Sequence, residues 1–223
     1  MSHERWTAVD DYITGLLIEP DPALDGALEA SRRAGLAPIH VSAPQGKFLH
    51  LLARIAGART VLEVGTLGGY STIWLARALP ADGRLVTLEL DEHHAAVARA
   101  NVAAAGLGDV VELRLGPAAD SLAALAAENA GPFDMVFIDA DKQSNAEYFT
   151  WALRLTRPGS VIVVDNVVRN GAVVDDDSTD PAVLGTRALN ALLAAEPRVS
   201  VTEVQTVGNK GYDGFALALV TGT

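Results

Sequence analysis

The chain has 223 residues, 49% of them hydrophobic and 20% charged, which supplies one core of ordinary domain size and excludes a disordered polymer. Lys and Arg number 17 against 28 Asp and Glu, and the net charge of -11 repels phosphate backbones at long range, so nucleic acid is disfavoured as a partner. With no cysteine, disulfides, thiolate metal sites and cysteine nucleophiles are excluded together, and any metal must be held by oxygen or imidazole.

The opening MSHERWTAVDDY is polar and acidic, without the basic flank and apolar run of a secretion signal, and no apolar stretch is long enough to span a bilayer. A cytoplasmic protein with no membrane partner is expected. From Glu4 to about Ala56 the spacing is helical: Trp6, Val9, Ile13 and Leu16 to Leu17 recur at helix intervals, Asp21 and Pro22 read as a cap and first turn, and Gln45 to Ile55 carries another apolar stripe. The rhythm changes at Arg59, where short apolar runs begin to alternate with Ala-rich helical segments: TVLEV, RLVTLEL, VVELRL, FDMVFI and SVIVV. Strands separated by helices need crossover connections, which predicts a parallel sheet buried on both faces. A single domain is expected, with a helical layer over residues 1–57 and an α/β core over 58–223.

Near the end, VSVTEVQTV alternates, GNKGYDG reads as a turn-rich spacer and FALALV as a further strand, so an antiparallel hairpin is expected to finish the sheet. The acidic stretch DDDST at 175–179 reads as a solvated loop.

VLEVGTLGGYS, residues 61–71, sets a strand, a glycine turn and a helix start in sequence. Gly65, Gly68 and Gly69 let backbone turn sharply and approach a ligand, while free amides at the helix start favour an anionic or polar group. The next strand ends near Glu89, whose carboxylate can accept from both hydroxyls of a ribose or, equally, cap the following helix. Turns that hold a pyrophosphate usually read G-x-G-x-x-G; here Glu63 opens the motif, and its charge would repel phosphate but suit a cationic ligand. S-adenosylmethionine has an ammonium, a sulfonium and no phosphate, and its carboxylate could use the helix-start amides and Ser71. GPAAD, 116–120, is either a small-residue loop over an adenine pocket or a plain turn before a helix capped by Asp120.

FIDADK, 137–142, and VIVVDNVVRNG, 161–171, are both strand ends of one parallel sheet, so Asp139, Asp165 and Asn166 emerge above one crevice. Two carboxylates and an amide carbonyl suit a hard cation, Mg²⁺ with Mn²⁺ or Ca²⁺ as alternatives. Such a cation beside a methyl donor can favour the ionised form of a substrate hydroxyl, and Lys142, its ammonium disfavoured by like charge, could take the proton. The bland alternatives are helix caps for the two aspartates and a surface lysine for Lys142.

VLEVGTLGGYS, LEL, FIDADKQSNAEY and VDNVVRNGAVV together resemble the metal-dependent class I O-methyltransferases of the catechol and caffeoyl-CoA type, in order and spacing, from about Val41 to Val220. DADK is nearer to the plant caffeoyl-CoA and bacterial branch than to the animal catechol enzymes. The resemblance implies a Rossmann-like, doubly wound α/β fold of seven mostly parallel strands with the last strand antiparallel. It implies that Val41, Glu63, Gly65, Thr66, Ser71, Glu89, Ala118 and Asp139 line the S-adenosylmethionine site. Asp139, Asp165 and Asn166 would hold the divalent cation and Lys142 would be the base. The implied reaction is methylation of one hydroxyl of a small aromatic vicinal diol or related phenol, and the implied assembly is a homodimer. A hydroxyuridine in transfer RNA is the alternative acceptor within the family, and a nicotinamide-dependent oxidoreductase is the alternative outside it. Two departures stand out: Leu67 replaces the middle glycine of the turn, and Lys210 stands where animal catechol enzymes have a carboxylate that steers the second hydroxyl. His40, His50, His93 and His94 receive no role and read as helix or surface positions.

Overall fold

The computed structural model describes residues 2–222. Three helices come first: α1 (His3–Leu17), α2 (Pro22–Arg33) and α3 (Ala43–Ile55). Asp21 caps α2 through its Oδ1, which accepts from the amides of Ala23 and Leu24, and Pro22 occupies the first turn where no amide is needed. Ser42 caps α3 by accepting from Gln45 N. The apolar stripe of α1 buries no residue; Val9, Leu16 and Leu17 face outward, so helical periodicity there was real but did not mark a core face.

Strands and helices then alternate: β1 (Thr60–Val64), α4 (Tyr70–Ala76), β2 (Arg84–Glu89), α5 (Glu92–Ala104), β3 (Val111–Leu115), α6 (Ala118–Ala127), β4 (Met135–Ile138), α7 (Asn145–Arg154), β5 (Val161–Asp165), α8 (Pro181–Ala195), β6 (Val199–Gly208) and β7 (Gly211–Val220). The sheet order is β3-β2-β1-β4-β5-β7-β6, with β1 to β5 mutually parallel and β7 running against both β5 and β6. The expected hairpin is present, but its spacer is shorter than GNKGYDG suggests. Pairing continues to Gly208↔Gly211, which leaves Asn209 and Lys210 as the turn, closed by Gly211 at φ +99°.

Period-two alternation divides the apolar strand residues between two cores. Leu62, Val136, Ile138, Ile162 and Val164 face α6, α7 and α8 through Leu122, Phe149 and Leu189. Val61, Leu85, Met135, Phe137 and Val163 face the other layer, where α2, α3 and α4 contribute Leu24, Leu49 and Ile73. A sheet covered on both faces leaves its strand ends as the place for polar groups. Between β1 and β4 the strand order reverses, and that switch point opens the crevice described next. Among the described residues, no helix is long and apolar enough to cross a membrane.

Candidate active site

A cavity of about 1080 Å³ lies over the C-terminal ends of β1, β2, β4 and β5. This is roomy for one small molecule, for which about 300–1,000 Å³ is usual, and suits two ligands side by side. Val41, Gly65, Thr66, Ser71, Glu89, Ala118, Asp139, Lys142 and Asn166 all line it. Gly65 sits at φ +102°, and a Cβ there would collide with the carbonyl of Asp139, so the turn after β1 can lie against the end of β4 only as glycine.

Glu89 organises the glycine turn from the neighbouring strand. Its Oε2 accepts from Leu67 N at 2.7 Å and Thr66 N at 3.2 Å, and its Oε1 accepts from Asp91 N at 3.0 Å. The helix cap is Asp91, which accepts from His94 N. Leu67 takes φ +50° in place of the usual glycine, with both amides of this tight segment anchored on Glu89. Asp120 does not cap α6; Pro117 holds that position, and Pro117 to Ala119 form cavity wall.

Glu63 is placed differently from the other expected ligand-binding residues. It is fully buried beneath the start of α4, off the cavity wall, and accepts from Ser71 Oγ at 2.6 Å, Thr87 Oγ1 at 2.7 Å and Thr72 Oγ1. Burial pushes its carboxyl up to about 7, the three hydroxyl donors opposing that rise without cancelling it. Its influence on a ligand passes through Ser71, which it orients and which does face the cavity.

At the ends of β4 and β5, register Ile138↔Val164 makes Asp139 and Asp165 neighbours one step past the last pair. Lys142 Nζ, in the short turn Lys142–Ser144, donates to Asp139 Oδ1 at 2.6 Å; its side chain is 11% exposed. Asp165 is 6% exposed, with Oδ1 accepting from Asn166 N at 2.9 Å and Oδ2 from Gln45 Nε2 at 2.7 Å. Burial, then the negative charge of Asp139, push Asp165 up to about 7. Neither aspartate caps a helix by its side chain. Asp139, Asp165 and the side-chain carbonyl of Asn166, at neighbouring strand ends, are oxygen donors of the type that could hold a hard divalent cation. No cluster of three or more His, Cys, Asp or Glu able to hold a metal exists among the described residues.

Several residues in or behind the wall had no sequence signal, Gln45 lying behind it. Gln45 reaches Asp165 from α3, 120 positions away. His40 lines the cavity from the loop before α3, edge-on to Tyr70 at 5.4 Å, with burial lowering its pKa; His94 lines it from α5, 3.6 Å from Glu89 Oε1. Tyr148 donates to Asp141 Oδ1 at 2.6 Å on the same wall. Lys210 is not on the wall: its ammonium donates to the carbonyl of Pro38 at 3.0 Å, tying the β6–β7 turn to the loop over the cavity.

The profile of the O-methyltransferase family matches residues 19–219. A catechol O-methyltransferase of Niastella koreensis is 55% identical over 220 residues, covering 99% of this chain and all of that protein. A second catechol O-methyltransferase, from Mycobacterium tuberculosis, is 54% identical over 95% of this chain and 94% of its own length. The crystal structure of a Bacillus cereus O-methyltransferase in complex with SAH superposes with a TM-score of 0.97 at 56% identity, covering 99% of this chain and 100% of that one. A Streptomyces achromogenes O-methyltransferase of tomaymycin synthesis, in complex with SAM, gives a TM-score of 0.96 at 55% identity, with both chains covered in full.

Proposed function

The chain belongs to the O-methyltransferase family and is an S-adenosylmethionine-dependent enzyme, and from that premise we propose that it methylates one hydroxyl of a small aromatic vicinal diol. One observation carries the proposal: Lys142, Asp139 and the glycine turn meet on one cavity wall, with the Asp139 carbonyl against Gly65 and the Asp139 carboxylate against Lys142 Nζ.

The bound donor supplies an electrophilic methyl on a sulfonium, and a divalent cation supplies a Lewis acid that favours the ionised form of the acceptor hydroxyl. Asp139, Asp165 and Asn166 are the residues that would hold the cation. Gln45 and the Asn166 amide fix the Asp165 carboxylate from two sides, which limits its rotation. Glu89 holds the turn amides and keeps an oxygen edge on the cavity for the donor's ribose hydroxyls. Ser71, oriented by Glu63, faces the donor's amino-acid end. Lys142, as the neutral amine, takes the proton of the acceptor oxygen and becomes an ammonium beside the Asp139 carboxylate, as that oxygen bonds to the methyl carbon and the carbon–sulfur bond breaks, leaving a neutral thioether.

Isotopic methyl transfer to catechol, with and without Mg²⁺, tests the reading. Turnover is expected to stop in excess chelator and in Asp165→Ala, while calorimetric donor affinity stays within about threefold. Full turnover in chelator refutes the cation step, and label appearing in bulk tRNA but in no diol refutes the acceptor class. A cytoplasmic homodimer belongs to the same reading, and light scattering on the purified protein checks the assembly.

A further inference from the structure

Asn166 is followed on the cavity wall by a second polar residue that the reaction above does not use. Arg169 lines the cavity, and its side chain is 30% exposed. The backbone around it is held in unfavourable torsions: Asn166, Arg169 and Asn170 have φ of +60°, +56° and +56°, a region L-residues seldom occupy. Asp213, at the facing end of β7, holds this segment in place. Its Oδ1 accepts from Val168 N at 2.9 Å, Arg169 N at 2.9 Å and Gly214 N at 3.0 Å.

The backbone of Arg169 is therefore clamped, but its guanidinium is not. Among the described residues, Asp213 is the one carboxylate within ion-pair range, with Oδ2 3.7 Å from Nη1, too long for a hydrogen bond. Arg169 Nε is buried with no partner. Two acidic wall residues are engaged elsewhere: Asp139 accepts from Lys142, and Asp141 accepts from Tyr148 and Ser144. An always-charged guanidinium that makes a long ion pair to Asp213 but no side-chain hydrogen bond, on a residue that lines the cavity, matches a planar carboxylate.

The place of Arg169 in the sheet says which ligand carries that carboxylate. It follows β5, while the glycine turn that faces the donor follows β1, with β4 between them. Two strand spacings, about 10 Å, separate those ends. Arg169 stands on the Asn166 side, where the acceptor hydroxyls belong under the proposed function. We propose that Arg169 is a specificity-determining residue that selects acceptors bearing a carboxylate as well as the reacting diol. This rests on the diol reading given above and adds a charge requirement to it.

The test compares 3,4-dihydroxybenzoate with its methyl ester, which has the same skeleton without the charge, and includes plain catechol as a third acceptor. In the wild type, kcat/KM for the acid is expected to exceed that for the ester by about tenfold or more, the scale of one charge-assisted pair. Arg169→Gln is expected to bring the ratio close to one, and Arg169→Lys to restore part of it. Arg169→Asn, a residue tolerant of positive φ, should repeat the Gln result if backbone strain is not the cause. A wild-type ratio near one overturns the inference. So does an equal fall for acid and ester in Arg169→Gln, and so does a loss of donor affinity with the ratio intact. Absence of turnover with all three acceptors, catechol included, overturns the diol reading itself, and the inference falls with it. Turnover of catechol without charge discrimination overturns the inference alone.

Discussion

Gly185 in α8 provides a sharp test of how the Lys142 turn is held. A methyl added there would stand 2.9 Å from Gln143 N and closer still to Gln143 Cα and the Lys142 carbonyl oxygen, whereas ordinary contact begins near 3.4 Å. The two closest contacts require the turn to retreat by about 1 Å, and it is backbone that has to move. Two effects compete in Gly185→Ala. Replacing glycine by alanine inside a helix stabilises by about 0.5–1 kcal/mol, and overpacking a closed contact costs about 1–3 kcal/mol. The second wins, giving a net loss of roughly 1–2 kcal/mol. Catalysis should suffer more than stability: a misplacement of about 1 Å can cost about a hundredfold, so a retreat of that size is expected to lower kcat by about a hundredfold. Gly26 in α2 is the control, because a methyl there meets nothing within 4 Å. Urea unfolding of both variants, paired with kcat and donor calorimetry, reads the result. Gly26→Ala should gain stability where Gly185→Ala loses it, and donor affinity should hold in both. If Gly185→Ala is as stable as the control, or retains full kcat, α8 does not set the position of Lys142.

Three further outcomes follow from the same geometry. Burial raises Glu63 from 4.5 to about 7, so the folded state binds more protons in that window; its contribution to stability is best below about pH 4.5 and declines as pH rises to about 7, by about 3 kcal/mol. The difference between wild type and Glu63→Gln in urea unfolding at pH 5 and pH 8 isolates this group, and parallel profiles refute it. Lys142→Ala is expected to slow methyl transfer most at low pH and least as pH nears the phenol's own pKa of about 10, whereas a deficit independent of pH denies Lys142 the proton. Gln45→Leu should weaken cation affinity measured by calorimetry by about tenfold, a usual loss when a ligand's orienting partner is removed, and unchanged affinity would leave Gln45 a packing residue only.

Local chemistry accounts for what was legible in the sequence. The alternation of five apolar runs with helical segments, the Asp21–Pro22 start of α2 and the closing hairpin each depend on residues within a few positions of one another, where propensity, capping and period-two burial act directly. The charged strand ends at Asp139, Asp165 and Asn166 were legible for the same reason, since a parallel sheet sends all its C-terminal ends to one edge. Direction and partnership were not. Glu63 points under α4 to three hydroxyls, one of them 24 positions away on β2, and Gln45 meets Asp165 across 120 positions. The Arg169 guanidinium makes only a long ion pair to Asp213, the residue 44 positions on that clamps its backbone. The exposed stripe of α1 shows the converse, a helical period that no neighbour buries. Sequence by itself determined the elements and the chemical character of the strand ends, because those follow from interactions over a few residues. Which side chains are tied down and which are left to meet a ligand was decided by tertiary structure, because it depends on where distant segments of the chain come to lie beside them.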